Sequence, residues 1–196
     1  MDPKPVVLEG RYARLEPLDT RHAEDLFAVG QDEAIWRYLP RPRLTSAADA
    51  RQMIEAAQAL AATGTQLPFA IIGKAAGRAV GSTRFLDIRR QDRGIEIGWT
   101  WLGTAFQRTP INTECKYLLL RHAFDTLGAV RVQLKTDLRN ERSQHAIERL
   151  GAVREGVLRR HLMLWDGFIR DTVYYSIVDA EWPAVRGRLE TFLERA

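Results

Sequence analysis

Cysteine is nearly absent from this 196-residue chain: Cys115 stands alone, which excludes an internal disulfide and a cysteine-based zinc cluster. Histidine is scarce as well. His22, His122, His145 and His161 show no paired metal-ligand spacing, so no metal site is expected. No apolar run approaches the roughly 20 residues that a membrane-crossing helix requires. The opening MDPKPVVLEG has no basic segment followed by an apolar one, so no signal peptide is expected and the expected location is cytoplasmic. Lysine is the third shortage. Of 29 basic residues only Lys4, Lys74, Lys116 and Lys135 are lysines, leaving 25 arginines spread along the chain in clusters no longer than pairs such as Arg89-Arg90. Despite a net charge of +4, this dispersion is unlike the dense arm of a nucleic-acid binder. It fits a solvated arginine-rich surface, or an anionic small ligand, equally well.

What is present is the mixture of a globular protein, 45% hydrophobic and 28% charged, enough to bury a core without crosslinks. No linker or repeat divides the chain, so residues 1–196 read as one domain. A first strand is expected from Val6 to Leu18, then helical segments RHAEDLFAVGQ and DEAIWRYL, the latter stopped by Pro40. Ser46 is placed to cap an alanine-rich helix that Gly64 closes. The period then shortens: strands are expected at Pro68 to Lys74, across AVGSTRFLDIRR, and at Gly94 to Leu102. A helix from about Thr109 to Leu127, a strand from Val130 to Thr136 and a helix from Glu141 to Leu150 follow. Two strands around the Asp166-Gly167 turn and a final helix in EWPAVRGRLETFL complete an α+β order with a central mixed sheet.

Three places can carry chemistry. At the junction WLGTAFQRTPINTECKY, Thr109 can cap a helix and Pro110 can occupy its first position, where a missing N–H costs nothing within the helix. Arg108 beside free N–H groups at a helix N-terminus suits a phosphate, although an ordinary capped helix with an exposed arginine fits too. In DLRNERSQHAIERLGAV, Asn140 can cap a second helix and Ser143 lies one turn on; alone, this is simply a well-capped helix stopped by Gly151. In GIEIGWTWL, strict alternation puts Ile95, Ile97, Trp99 and Trp101 on one face and Glu96, Gly98 and Thr100 on the other. A carboxylate on a central strand needs a partner. Glu96 can be a base with a raised pKa that takes a proton from an amine, or one half of an ion pair with one of the many arginines. Cys115 lacks a base and an orienting group, so an inert thiol is expected. Trp36 and Tyr38 are candidates for an acceptor pocket, and the apolar final strand with Trp182 for a homodimer face.

In this order, LEGRYARLEPLDTRHAEDL, GIEIGW, NERSQHAIERLGAVREGVLRR and DGFIRDTVYYSI resemble the GNAT (Gcn5-related) N-acetyltransferase superfamily, in particular its ribosomal-protein, RimJ/RimL-type branch. The resemblance covers nearly the whole chain. It implies a mostly antiparallel twisted sheet flanked by helices, with acetyl-CoA as co-substrate and a primary amine as acceptor. QRTPIN lies where the family carries its Q/R-x-x-G-x-G/A loop, so the backbone of Gln107, Arg108, Thr109, Ile111, Asn112 and Thr113 would cradle the pyrophosphate. Pro110 stands at the loop's first glycine and removes one donor. The pantetheine arm would lie along Trp99, Thr100 and Trp101, and Asn140 matches an asparagine that bonds it. Ser143 matches a position some members use as a general acid on the departing thiolate; Tyr175, opposite in direction to Tyr174, is the other candidate. The acceptor implied is a protein N-terminus. A small-molecule amine, or a catalytically weak CoA- or RNA-binding module, are the alternatives; nucleic acid and membrane are not expected partners.

Overall fold

A computed structural model describes all residues, 1–196. The expected first strand is two: β1 (Leu8–Glu9) and β2 (Ala13–Pro17) pair antiparallel around a turn at Gly10. Glu114, buried far along the chain, causes the break. Its carboxylate accepts from the N–H groups of Arg11 (2.7 Å), Tyr12 (2.6 Å) and Ala13 (2.6 Å). A Cβ at Gly10 would collide with that carboxylate, so only glycine admits the approach.

Asp19 opens a single 3-10 turn through a reciprocal capping arrangement with His22, and α1 (Ala23–Val29) continues from it. The expected DEAIWRYL helix is only the turn α2 (Glu33–Trp36). Ser46 caps α3 (Ala47–Ala62), its hydroxyl accepting from the Asp49 N–H at 3.0 Å. Strands β3 (Leu67–Gly73), β4 (Arg78–Arg89) and β5 (Gly94–Leu102) form a meander. Helix α4 (Pro110–Arg121) runs into a π-helical turn at His122–Thr126, which ends the expected longer helix. Then come β6 (Arg131–Asp137), α5 (Glu141–Leu150), β7 (Val153–Met163), β8 (Ile169–Val178) and α6 (Trp182–Glu194).

The eight strands form one sheet in the order β1-β2-β3-β4-β5-β6-β8-β7. Every neighbouring pair is antiparallel except β5 and β6, the mixed sheet expected. Helices cover both faces. Ile111, Leu118 and Leu119 of α4, Ile147 of α5 and Leu189 of α6 share a core with Phe69, Ile71, Ile95 and Ile97. On the other face, Leu26, Trp36 and Ile54 pack with Ala70, Ile72 and Trp101. Strand β3 thus sends successive side chains to opposite cores, as its period demands.

Strand β5 does not keep that alternation. Arg84 of β4 faces Gly98 and Ser82 faces Trp101, so two residues of β5 oppose the single Thr83, and Trp99 takes φ +52°. This bulge inverts the parity beyond it. Trp101 joins the core opposite Ile95 and Ile97, with its ring centroid 4.9 Å from Trp36. Thr100 turns toward α4, 2.7 Å from the Thr83 hydroxyl. The strict alternation expected of GIEIGWTWL is corrected accordingly.

The two features named above for a homodimer face also have neighbours within this chain. Trp182 stacks on Phe124 at 5.4 Å and donates to Asp125, and β8 lies between β6 and β7. No helix is long and apolar enough to cross a membrane.

Candidate active site

The parallel pairing of β5 with β6 lasts three residues, from Gly94↔Arg131 to Glu96↔Gln133. Beyond it β5 runs on to Leu102 and β6 to Asp137 without further pairing. The splay opens a cavity of about 520 Å³. Of the residues expected to act, Glu96, Trp99, Thr100, Trp101, Gln107, Arg108, Thr109, Asn112, Thr113, Asn140 and Ser143 all line it. Two do not. Ile111 sends its side chain into the core. Tyr175 points to the α5 side, where its hydroxyl donates to Glu148 at 3.0 Å and lies 3.3 Å from the Gln144 amide oxygen. Burial and that bond hold the Tyr175 pKa above its ordinary value, so the phenol stays protonated and away from the cavity.

At one end of the cavity stands the N-terminus of α4. Pro110 is its first residue and Thr109 its cap by position, but the Thr109 hydroxyl donates backward to the Phe106 carbonyl at 2.8 Å and no side chain caps the helix. The N–H groups of Ile111 and Asn112 precede the first carbonyl the helix can offer them. The donor that Pro110 lacks is one the helix leaves unused. Arg108, at φ +58°, and Arg149 add positive charge; Arg149 donates to Thr113 at 2.9 Å. The Gln107 backbone N–H donates to the Thr104 carbonyl at 3.2 Å, and its side-chain amide donates to the Leu102 carbonyl (3.0 Å) and accepts from Arg142 (2.8 Å). Asn140 caps α5, accepting from the Ser143 N–H at 3.1 Å, which leaves its amide N–H₂ as the free group.

At the other end lies Glu96, 1% exposed. Its expected arginine partner is instead a lysine: Lys135 Nζ lies 3.0 Å from Oε2, and Gln133 donates to the same oxygen at 2.9 Å. The register explains this, since Gln133 faces Glu96 across the parallel pair and Lys135 is two residues on, on the same side. Tyr38 lines this end, whereas Trp36 lies buried and donates to the Gly30 carbonyl at 2.8 Å.

Two buried cations that line the cavity have no clear mark in the sequence. Lys116, 7% exposed, reaches from α4 into the cavity wall and donates to Thr100 Oγ1 at 2.6 Å with no carboxylate beside it. Burial pulls its pKa down to about 8. The available signal was a lysine in a chain that otherwise spends arginine. The second is Arg170 of β8, 6% exposed, which lines the cavity on the same face as Thr172. Cys115 is buried and its thiol pushed up to about 12, so it is inert.

Residues 13–153 match the family described as the acetyltransferase (GNAT) domain. A solved GCN5-related N-acetyltransferase from Brucella melitensis superposes with a TM-score of 0.92 and 32% identity, over 98% of this chain and 87% of that one. The Bacillus subtilis (strain 168) protein named "Putative ribosomal N-acetyltransferase YdaF" is 32% identical over 106 residues, 54% of this chain and 57% of its own length. Mycobacterium smegmatis RimJ, solved in complex with CoA-disulfide, shares the fold at a TM-score of 0.81 and 22% identity, over 95% of this chain and 91% of that one. With the splayed β5–β6 pair and the uncapped helix beside it, these likenesses mean that the chain belongs to the GNAT family of acetyltransferases, which are acyltransferase enzymes.

Proposed function

We propose that this protein is an acetyl-CoA-dependent N-acetyltransferase whose acceptor is a peptide N-terminal amine. The observation that carries the reading is the cavity in the β5–β6 splay, with an uncapped helix N-terminus and arginines at one end and a buried carboxylate at the other. The residues fit the co-substrate. Free N–H groups at Ile111 and Asn112, with Arg108 and Arg149, suit a pyrophosphate. The β5 backbone past Glu96 has no β6 partner and can pair with the amides of the pantetheine arm, while the Asn140 amide can donate to it. Acetyl-CoA, when bound, supplies an acetyl group activated as a thioester.

The chain's own residues do the rest. The cavity holds donor and acceptor side by side, so transfer needs no acyl-enzyme. Glu96 takes the proton from the acceptor ammonium, directly or through a water; Lys135 and Gln133 fix its orientation. The Ser143 hydroxyl, lining the cavity with its N–H held by Asn140, offers a proton toward the departing thiolate. For a peptide acceptor, support comes from the name of YdaF, which calls that protein a ribosomal N-acetyltransferase.

Calorimetry with acetyl-CoA, followed by mass spectrometry of N-terminal peptides, tests this. Binding at one site per chain and an added acetyl group on the α-amine are expected. Acetylation of small amines only would replace the peptide acceptor; no binding would remove the transferase reading altogether.

A further inference from the structure

The acceptor end of the cavity carries an uneven count of charges on one face of the sheet. Two buried carboxylates sit there, Glu96 and Asp137, and each has its own cation; a third, the half-exposed Asp87, shares Gln133 with Glu96 and pairs with Arg89 at 3.5 Å. Lys135 holds Glu96 at 3.0 Å, and Arg139 holds Asp137 through Nε at 3.0 Å and Nη2 at 2.7 Å. Burial and neighbouring cations lower the His161 pKa, which leaves its ring neutral near pH 7.

Arg170 is the third cation, and no carboxylate lies within ion-pair distance of it. Its Nε donates to Thr172 Oγ1 at 3.0 Å and its Nη1 reaches the Tyr38 carbonyl at 3.4 Å; Nη2 has no acceptor in the chain and is not sealed from the cavity. Asp137 and, more weakly, Glu96 act on its charge from beyond ion-pair distance, and each already holds a cation of its own; a buried guanidinium so placed is unfavourable unless a ligand completes it. Arg84, also buried, stacks on Trp99 at 4.4 Å and does not line the cavity, so it is no competitor for such a ligand.

We propose that the acceptor amine carries a carboxylate close to it, and that Arg170 is the specificity residue that binds this carboxylate. The inference rests on the N-acetyltransfer reading and adds the class of acceptor to it. With Asp87 matched by Arg89, three cations against the two buried carboxylates leave one positive charge, which a monoanion balances; a phosphate would bring a second charge beside Glu96 and Asp137. The planar fork of a guanidinium matches a carboxylate in shape as well as sign. Asp137 first and Glu96 after it lie close enough to Arg170 for their charges to act on it. An amine at Glu96 and a carboxylate at Arg170 therefore belong to one amino acid, or to the first few residues of one peptide with an acidic side chain.

Matched acceptors decide the matter, with release of the CoA thiol as the readout. One pair is an α-amino acid and its carboxamide. The other is an N-terminal peptide with Asp or Glu at its second position and the same peptide with Asn or Gln there. The carboxylate member of at least one pair is expected to have a kcat/KM about tenfold higher or more, and the pair with the larger ratio identifies the source. Arg170→Gln should bring that ratio near one with acetyl-CoA affinity unchanged by calorimetry, and Arg170→Lys should keep part of it. Should Arg170→Gln not fold, the ratio in the parent and in Arg170→Lys decides. Equal rates within both pairs would overturn the inference and leave the transferase reading standing, as would a preference that survives Arg170→Gln. Acetyl-CoA binding without acetylation of any amine would overturn both.

Discussion

The two ends of the cavity are built on different electrostatic principles. At the α4 end, positive charge comes from a helix terminus and from arginines open to solvent that form no ion pair. At the Glu96 end both carboxylates are buried and each is held by a cation, with hydrogen bonds fixing the partners and Arg170 left over. Where a side chain is truncated at the first end, water takes its place, so single substitutions there act in small steps. Truncation at the second end strands the remaining partner in a low-dielectric site, and the effect is larger. Under the function proposed above, specificity for a defined acceptor belongs to the second end, and general affinity for an anionic carrier to the first.

Substitutions at each end should widen or close this contrast. The largest effect is expected from Glu96→Gln. Losing the base should lower kcat by about a hundredfold or more, while calorimetry finds acetyl-CoA affinity unchanged. Turnover equal to the parent would make Glu96 only the partner of Lys135.

Lys116 stands between the two ends and obeys neither rule, because it is buried but has no acid. With its pKa about 8 in the fold against 10.5 for a free lysine, the unfolded chain binds the extra proton between those values. The parent's stability should therefore rise as pH climbs through that window. Lys116→Met should raise stability near neutral pH by about 3 kcal/mol and flatten the rise, as urea titrations at neutral and alkaline pH would show. An unchanged pH profile would mean that the ammonium is compensated.

Smaller effects are expected from the first end. Arg108→Ala should weaken acetyl-CoA binding by about tenfold without altering the thermal midpoint of the ligand-free protein, since Arg108 forms no ion pair in the chain. Equal affinity would move the pyrophosphate away from α4. The smallest belongs to Ser143→Ala, about threefold in kcat, because a thiolate needs little help to leave. A loss as large as that of Glu96→Gln would make the hydroxyl an obligatory acid.

Periodicity made much of this legible. Strand β5 and helix α5 have the bounds that their sequences announce, because Gly94 and Leu102 delimit one and Asn140 and Gly151, at φ +104°, delimit the other. The helix terminus and the position of Glu96 followed from where those elements lie. What stayed hidden depends on contacts between distant residues. The bulge at Trp99 leaves no mark in GIEIGWTWL, so the face of Trp101 could not be read. Val6 to Leu18 alternates well enough for one strand, and only Glu114 divides it. The lysine partner of Glu96 depends on a parallel register between strands more than thirty residues apart in sequence. Tyr175 pointed away because β8 lies inside the sheet with that face against α5.

The Glu114 carboxylate also bears on how the chain can be cut or extended. It sits one turn into the helix whose terminus faces the cavity, and it grips the amino-terminal turn across 101 to 103 positions of sequence. The first dozen residues therefore act as a tether on α4, and removing them would free a buried acid beneath the anion-binding terminus. Truncation near Gly10 is expected to loosen that helix at a distance, whereas a tag joined ahead of Met1 leaves the grip intact.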